Sequence, residues 1–390
     1  VAKFADTAFN LRKLALHFNE MNKPHMALEL LIKAVNIDPN DAELLNSLAL
    51  TYWALGEYEK AEFVSRQSIK HAPMNPLFHA NLSLALLHQG RYPDAWPHFR
   101  QRHMVIPYRR EWAFAHRTWR GETLTSESLL LYCSQGIGDI FLLSRYFPLI
   151  RERVAHIILE VDETCLTLYK NCPWVDEVRI RDDRKPPQCD VHCELFDLPM
   201  VFNTSIHSIP PCQPLPFKPD LQVELSLAGY RKVKPGWKHV GLVWSGHIAH
   251  IVNPRRSCGL RTMLPLLELG SIQFYSIQKG EAQVQMNQFS DATRCMIDLS
   301  PALIDFRATA TAIEKLDLVI TVDTSVANLA GMMGKEVWVL LHDNPEWRWG
   351  RSGNSPWYPN VRVFRQSGFG DWEDVIRRVR AELIASLLDF

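Results

Sequence analysis

A 34-residue period runs through the first hundred residues and restricts what they can become. Ala27, Ala61 and Ala95 share it, and so do Pro39, Pro73 and Pro107. Each Ala stands 12 residues before its Pro. Hydrophobic residues recur where paired helices would pack: Leu14 and Phe18, Leu48 and Tyr52, Leu82 and Leu86. A close helix crossing needs a small side chain at the contact. Proline ends a helix because it has no N–H to donate. Gly56 and Gly90 fall between the paired helices, where the backbone must break.

Period, alanine and proline together resemble the tetratricopeptide repeat (TPR). Such units stack into a superhelix and bind extended partners rather than perform chemistry. The expectation is therefore a recognition arm over residues 1–112, with the chemistry after it.

At 390 residues the chain exceeds one average domain. Lys plus Arg total 43 and so do Asp plus Glu, so bulk charge offers nothing to nucleic acid. The longest apolar stretches, Asp317–Val322 and Glu336–Leu341, hold about five apolar residues each, against the ~18 that a membrane span needs. No basic-then-apolar leader opens the chain. It begins with Val inside a repeat, so further sequence is expected upstream. Eight cysteines make no disulfide scaffold. Cys189, His192, Cys193 and Cys212 are spaced too irregularly for a metal centre and read as reduced thiols and buried strand in a cytoplasmic protein.

From about Thr125 the pattern changes. Leu129–Cys133, His156–Val161, Glu177–Ile180 and Val191–Phe196 read as strands. Ile140–Ile150 and Glu163–Lys170 read as helices. A proline-rich stretch (Pro210, Pro211, Pro214, Pro216, Pro219) separates this from a second alternation. There His239–Trp244, Ile272–Ile277, Asp317–Val322, Glu336–Leu341 and Val361–Phe364 are expected strands. Thr262–Leu269, Thr309–Leu316, Ser325–Met333 and Trp372–Leu387 are expected helices. Strand–helix alternation argues for parallel sheets, with a ligand at the strands' carboxyl ends. The implied domains are 113–232 and 233–390.

Four segments could carry chemistry. Ser134-Gln135-Gly136-Ile137-Gly138-Asp139 joins a strand to a helix, where an anion is welcome. Its glycine register is not that of a dinucleotide fingerprint, which speaks against an oxidoreductase. Asp139 reads either as a helix-start carboxylate or as a general base. Asp323, Thr324 and Ser325 open another helix and could cap it, cradle a diphosphate, or both. Ser245-Gly246 followed by Arg255-Arg256-Ser257 offers cations for a leaving phosphate, or merely a solvated loop. Trp347-Arg348-Trp349 and Trp357-Tyr358 offer aromatic faces, for burial or for stacking on a ligand. No Asp-x-Asp occurs, so no metal or other cofactor is expected, and leaving-group stabilisation falls to helix starts and arginines.

These motifs occur in a recognisable order. They run from Gln135–Asp139 and Arg145-Tyr146 through Leu198-Pro199, Gly241–Gly246, Asn253–Ser257, Asp323-Thr324 and Ala330-Gly331 to Trp347–Trp349 and Ser355–Pro359. The order resembles bacterial TPR-containing glycosyltransferases whose catalytic part is heptosyltransferase-like (glycosyltransferase family 9-like). The resemblance implies an α/β chain in which an all-α TPR superhelix precedes a GT-B fold of two Rossmann-like domains. It implies an inverting, metal-independent transfer from a nucleotide sugar, with closure of the cleft excluding water. Asp139 would be the catalytic base. Gly136, Gly138, Ser245, Gly246, Arg255, Arg256, Ser257, Asp323, Thr324, Ser325, Asn328, Trp347 and Arg348 would serve the donor. Gln135, Trp357 and Tyr358 would face the acceptor, a protein such as flagellin docked on the arm. Two departures stand out: Asn328 occupies a position where relatives carry His, and His247-Ile248-Ala249-His250 follows Gly246 where relatives place Asn-Pro. They keep open a non-catalytic scaffold, and a lipid or polysaccharide acceptor is a further alternative.

Overall fold

The computed structural model describes residues 7–105, 116–182, 188–233, 236–248 and 253–388. The chain divides into two compact units. One takes residues 1–111 with 199–209 and 346–352, and the other takes 112–198, 210–345 and 353–390. A contiguous division near residue 112 does not anticipate the two inserted segments.

The first unit is built from α1 (Ala8–Glu20), α2 (Pro24–Ile37), α3 (Ala42–Ala54), α4 (Tyr58–His71), α5 (Pro76–His88) and α6 (Tyr92–Phe99). Ala27, Ala61 and Ala95 are buried as the crossings require. The same period sets the helix starts. Thr7, Asp41 and Asn75 cap α1, α3 and α5, each side chain accepting a first-turn N–H. It also sets the turn inside each pair, where Asn22, Gly56 and Gly90 all have positive φ. Asparagine tolerates that conformation better than other side chains, which is why repeat one needs no glycine there.

Polar pairs one repeat apart join successive inner helices: Arg12 to Ser47, Asn19 to Thr51, and Asn81 to Asn46. Two expectations change. Leu48 and Leu82 are buried, but their equivalent Leu14 is 46% exposed. Among the described residues α1 packs mainly on α2 and α3, whereas α3 also packs on α4 and α5. In repeat three the second helix ends at Phe99 and tightens into a 3₁₀ turn over Arg100–Met104, with Pro97 inside the helix. Pro107 lies outside the described residues. The inserted segments belong to this last repeat. Trp96 Nε1 donates to the Thr204 carbonyl at 2.7 Å. The Trp347 ring stands edge-on to Tyr92 and Trp96, with centroids 5.5 and 6.1 Å away.

The second unit holds two parallel sheets. The first contains β1 (Arg117–Thr118), β2 (Leu124–Tyr132), β3 (Val154–Val161), β4 (Glu177–Ile180) and β5 (Val191–Glu194), in the order β1-β5-β2-β3-β4. The second contains β6 (Lys238–Val243), β7 (Ile272–Ser276), β8 (Ile297–Asp298), β9 (Leu318–Val322), β10 (Val337–Leu341) and β11 (Val361–Arg365), in the order β11-β10-β9-β6-β7-β8. Near-continuous apolar runs suit strands covered on both faces. Leu242, Ile320 and Leu340 are fully buried in the second core.

Edge strands β1 and β8 have two residues each and no periodicity to reveal them. The strand expected to reach Phe196 stops at Glu194, whose carboxylate accepts the Phe196 N–H and turns the chain. The helix expected over Thr262–Leu269 is a four-residue helix, Leu260–Met263, followed by a 3₁₀ turn containing Pro265. Ile140–Ile150 is likewise broken into Ile137–Leu143, a 3₁₀ turn and Phe147–Arg151. The proline-rich stretch carries no helix or strand, and an unanticipated helix, Leu221–Val233, follows it.

Candidate functional site

Two helix starts face each other within the second unit. One follows β2 and begins at Ile137; the other follows β9 and begins at Ser325. At the first, Asp139 is buried and its Oδ2 accepts the Gly136 N–H at 2.9 Å, while its own N–H reaches the Gly136 carbonyl at 3.0 Å. The carboxylate therefore closes its own turn. Gly136 is exposed and Gln135 half-buried, so this turn is open to solvent on that side. Glu194, at the end of β5, holds the turn from beneath: its Oε1 accepts the Ser134 N–H and hydroxyl, each at 3.3 Å.

At the second start Thr324 is the N-cap residue, and its side chain makes no cap bond; its hydroxyl lies 3.1 Å from that of Thr321. Of the three residues that could cap this helix, Thr324 does not. Asp323 is buried, and Thr324 and Ser325 are half-buried. The two starts touch. A Cβ added to Gly138 would stand 2.9 Å from Asn328 Nδ2 and 3.3 Å from Ser325 Cα, so only glycine permits this approach. Asn328 is itself held at both ends, its Oδ1 accepting from Tyr358 and its Nδ2 donating to the Thr324 carbonyl, each at 3.0 Å.

The third predicted segment assembles as one cluster at the carboxyl end of β6. Ser257 Oγ accepts the Gly246 N–H at 3.1 Å and donates to Asn253 Oδ1 at 2.8 Å. Ser245 Oγ lies 3.2 Å from Ser257 Oγ. The Arg256 guanidinium crosses directly over Gly246, where an added Cβ would meet it at 2.6 Å. Its Nε is buried with no hydrogen-bond partner among the described residues. A cavity of about 440 Å³ opens here, lined among others by Ser245, Asn253, Ser257, Glu281 and Gln285. Arg255 points elsewhere, pairing with Asp343 at 3.0 Å. Burial works to raise the Asp343 carboxyl, but the hydrogen bond with His342 and the Arg255 charge outweigh it and hold it at about 2.

Sequence reasoning passed over Gln278. Its buried amide accepts the N–H groups of Trp244 and Ser245, at 3.0 and 2.9 Å, and donates to the Ser245 carbonyl at 3.0 Å. These three bonds all come from one isolated glutamine, and no motif marks it.

The aromatic predictions divide. Trp357 and Tyr358 are buried, with the Arg145 guanidinium 5.1 Å from each ring centroid, so neither presents a face to an acceptor. Trp347 and Arg348 are buried in the helical unit, where Tyr92 and Trp96 take up the Trp347 ring, so that ring offers no free face to a donor. Of the cysteine and histidine residues of this region, His192 and Cys193 are successive on β5 and so point to opposite faces, and Cys212 accepts from Arg145 at 2.9 Å. They do not converge on one point. No helix of the described residues is long and apolar enough to cross a membrane.

Comparison with known proteins agrees with this architecture. The family model for the tetratricopeptide repeat matches residues 42–73. Protein FlbA of Caulobacter vibrioides is 23% identical over 442 aligned positions, covering 97% of this chain and 73% of that protein. The crystal structure of the glycosyl transferase family 9 protein from Veillonella parvula superimposes with a TM-score of 0.50 at 11% identity, covering 70% of this chain and 100% of that one. The Escherichia coli ADP-heptose LPS heptosyltransferase II gives a TM-score of 0.49 at 12% identity, over 67% of this chain and 99% of that one. The chain joins tetratricopeptide repeats to a pair of parallel sheets with the glycosyltransferase family 9 fold.

Proposed function

We propose that this protein is a glycosyltransferase that moves a sugar from a nucleotide-sugar donor to a protein acceptor, such as a flagellin, docked on the helical arm. The observation that carries the reading is the Gly246 cluster. A half-enclosed arginine crosses a glycine turn beside two serines and an asparagine, and those last three also line a cavity of about 440 Å³. That arrangement suits the diphosphate of a donor. Thr324 and Ser325 add a helix start whose N-cap side chain makes no cap bond. Asp139 would take the proton of the acceptor hydroxyl as the new C–O bond forms. The transfer would be inverting and metal-independent, and the setting cytoplasmic. Thermal shift with a panel of nucleotide sugars, followed by mass spectrometry of the candidate acceptor protein, tests this. Stabilisation by one donor and a matching mass increase on the acceptor are expected. No stabilisation and no transfer with any donor would overturn it.

A second reading rests on Asn328 and Asp139, both of which have structural hydrogen bonds here. In that reading the fold is retained without catalysis, and the arm assembles partner proteins. Donor binding without turnover on any acceptor would favour it.

A further inference from the structure

The two sheets of the second unit are joined by more than the proline-rich connection. Arg145, on the 3₁₀ turn after the Ile137–Leu143 helix, is buried to 3% exposure. It donates to the Leu142 carbonyl at 2.8 Å, to the Pro210 carbonyl at 3.3 Å and to Cys212 Sγ at 2.9 Å. Its guanidinium also lies against the Trp357 and Tyr358 rings. One side chain thus touches the first half, the connection and the second half. None of these partners carries a charge. A buried cation with only dipoles and aromatic faces around it is tolerable only while the whole set is in place.

The contact continues to the helix starts. Tyr358 donates to Asn328, and Asn328 abuts Gly138 across the boundary between the halves. Further along, Phe141 meets Phe306 with centroids 5.1 Å apart, and Ser144 Oγ lies 3.2 Å from Met332 Sδ. Thr167 donates to Asp305 at 2.6 Å. A hinge needs contacts confined to a line about which the halves can swing. These contacts extend over an area, and a swing would have to break the arginine set, the Tyr358–Asn328 bond and the aromatic contact together.

We infer that Arg145, Tyr358 and Asn328 form a brace that fixes the separation of the two halves, so that the two helix starts are already assembled before any ligand arrives. They are positioning residues: Tyr358 acts through Asn328, and Arg145 through Tyr358. Ligand exchange then proceeds through the open Gly136 side and the Gly246 cavity, without separation of the halves. This inference does not depend on sugar transfer and stands or falls separately from it.

Hydrogen exchange read by mass spectrometry on the full chain tests it. In the unmodified protein the amides of 139–144 and 328–333 are expected to exchange slowly, and to change less than about twofold on adding millimolar UDP, ADP or GDP. Tyr358→Phe removes one hydroxyl and leaves the Asn328 acceptor unpaired, so exchange in both segments should rise together by about tenfold. Arg145→Lys, which keeps the charge but not the planar fork, should give the same joint pattern. The strands β3 and β9 should not change. Two populations in the unmodified protein, a joint shift on adding nucleotide, or acceleration confined to one segment would overturn the inference. Equal acceleration in the strands would mean general destabilisation and would also count against it.

Discussion

Asp139 Oδ2 accepts the backbone N–H of Gly136 at 2.9 Å, which ties the carboxylate to the turn that presents it. The bond needs an acceptor oxygen but not a charge. Asparagine can supply the first without the second. Asp139→Asn should therefore keep the turn, with a melting temperature within about 2 °C of the parent, because the substitution preserves both the shape and the acceptor oxygen. If Asp139 is the base, transfer should fall by about 10²-fold or more with donor affinity unchanged. Turnover and donor affinity measured side by side decide this. A joint fall in affinity, turnover and melting temperature would assign the residue a structural role only.

Gly246→Ala tests the proposed anion site. The new methyl would lie 2.6 Å from the Arg256 guanidinium and 2.8 Å from Asn253 Oδ1. The arginine can swing out to solvent, so folding should survive. Stabilisation by the donor should fall by roughly tenfold or more in apparent affinity, because a charge-assisted contact is worth about 1.5–3 kcal/mol. Unchanged nucleotide binding would place the phosphate elsewhere.

Asp343 makes stability depend on acid. Its folded value, about 2, lies below the ordinary carboxylate range. A depressed carboxyl contributes stability above its unfolded value, and that contribution is lost as pH falls through the folded one. A shift of this size corresponds to about 1–2 kcal/mol after solvent screening. Urea unfolding should show Asp343→Asn weaker than the parent by about that amount at pH 7, with the gap narrowing from about pH 5 and gone only below about pH 2. A gap independent of pH would mean that shape, rather than charge, matters at this site.

His79 and His98 stack in the third repeat with their Nδ1 atoms 2.8 Å apart. His79 Nε2 lies 2.8 Å from the Pro73 carbonyl, which can only accept, so that nitrogen carries a proton. Burial, and then the neighbouring His79, lower the His98 value. A histidine depressed in the fold favours folding above its unfolded value near 6.5 and loses that advantage as pH falls below it. The parent should thus lose stability between pH 7 and 5. His98→Asn should flatten that slope in urea titrations, whereas an unchanged slope would clear the pair.

What could be read from the chain followed what is periodic. Ala27, Ala61 and Ala95 announce helix pairs because a crossing allows few side chains, and β9 and β10 announce themselves because strands covered on both faces are apolar throughout. The caps Thr7, Asp41 and Asn75 share the period, yet three different residues conceal it. The Gly246 cluster was legible because its members lie within a dozen residues. Gln278, Glu194 and the Tyr358–Asn328 bond were not, since each acts across 30 to 60 residues through a single ordinary side chain. The helix at Leu260–Met263 is shorter than its apolar spacing implies because Pro265 follows at once.

The bond from Trp96 to the Thr204 carbonyl, and the Trp347 ring against Tyr92, also bear on ancestry. A repeat array is ordinarily a cassette that recombination can move between genes. Here the last repeat is completed by two segments encoded far downstream, so an exchange at residue 112 would deliver an arm with an indole N–H and aromatic faces left bare. An exchange of the arm alone would therefore leave its last repeat unfinished.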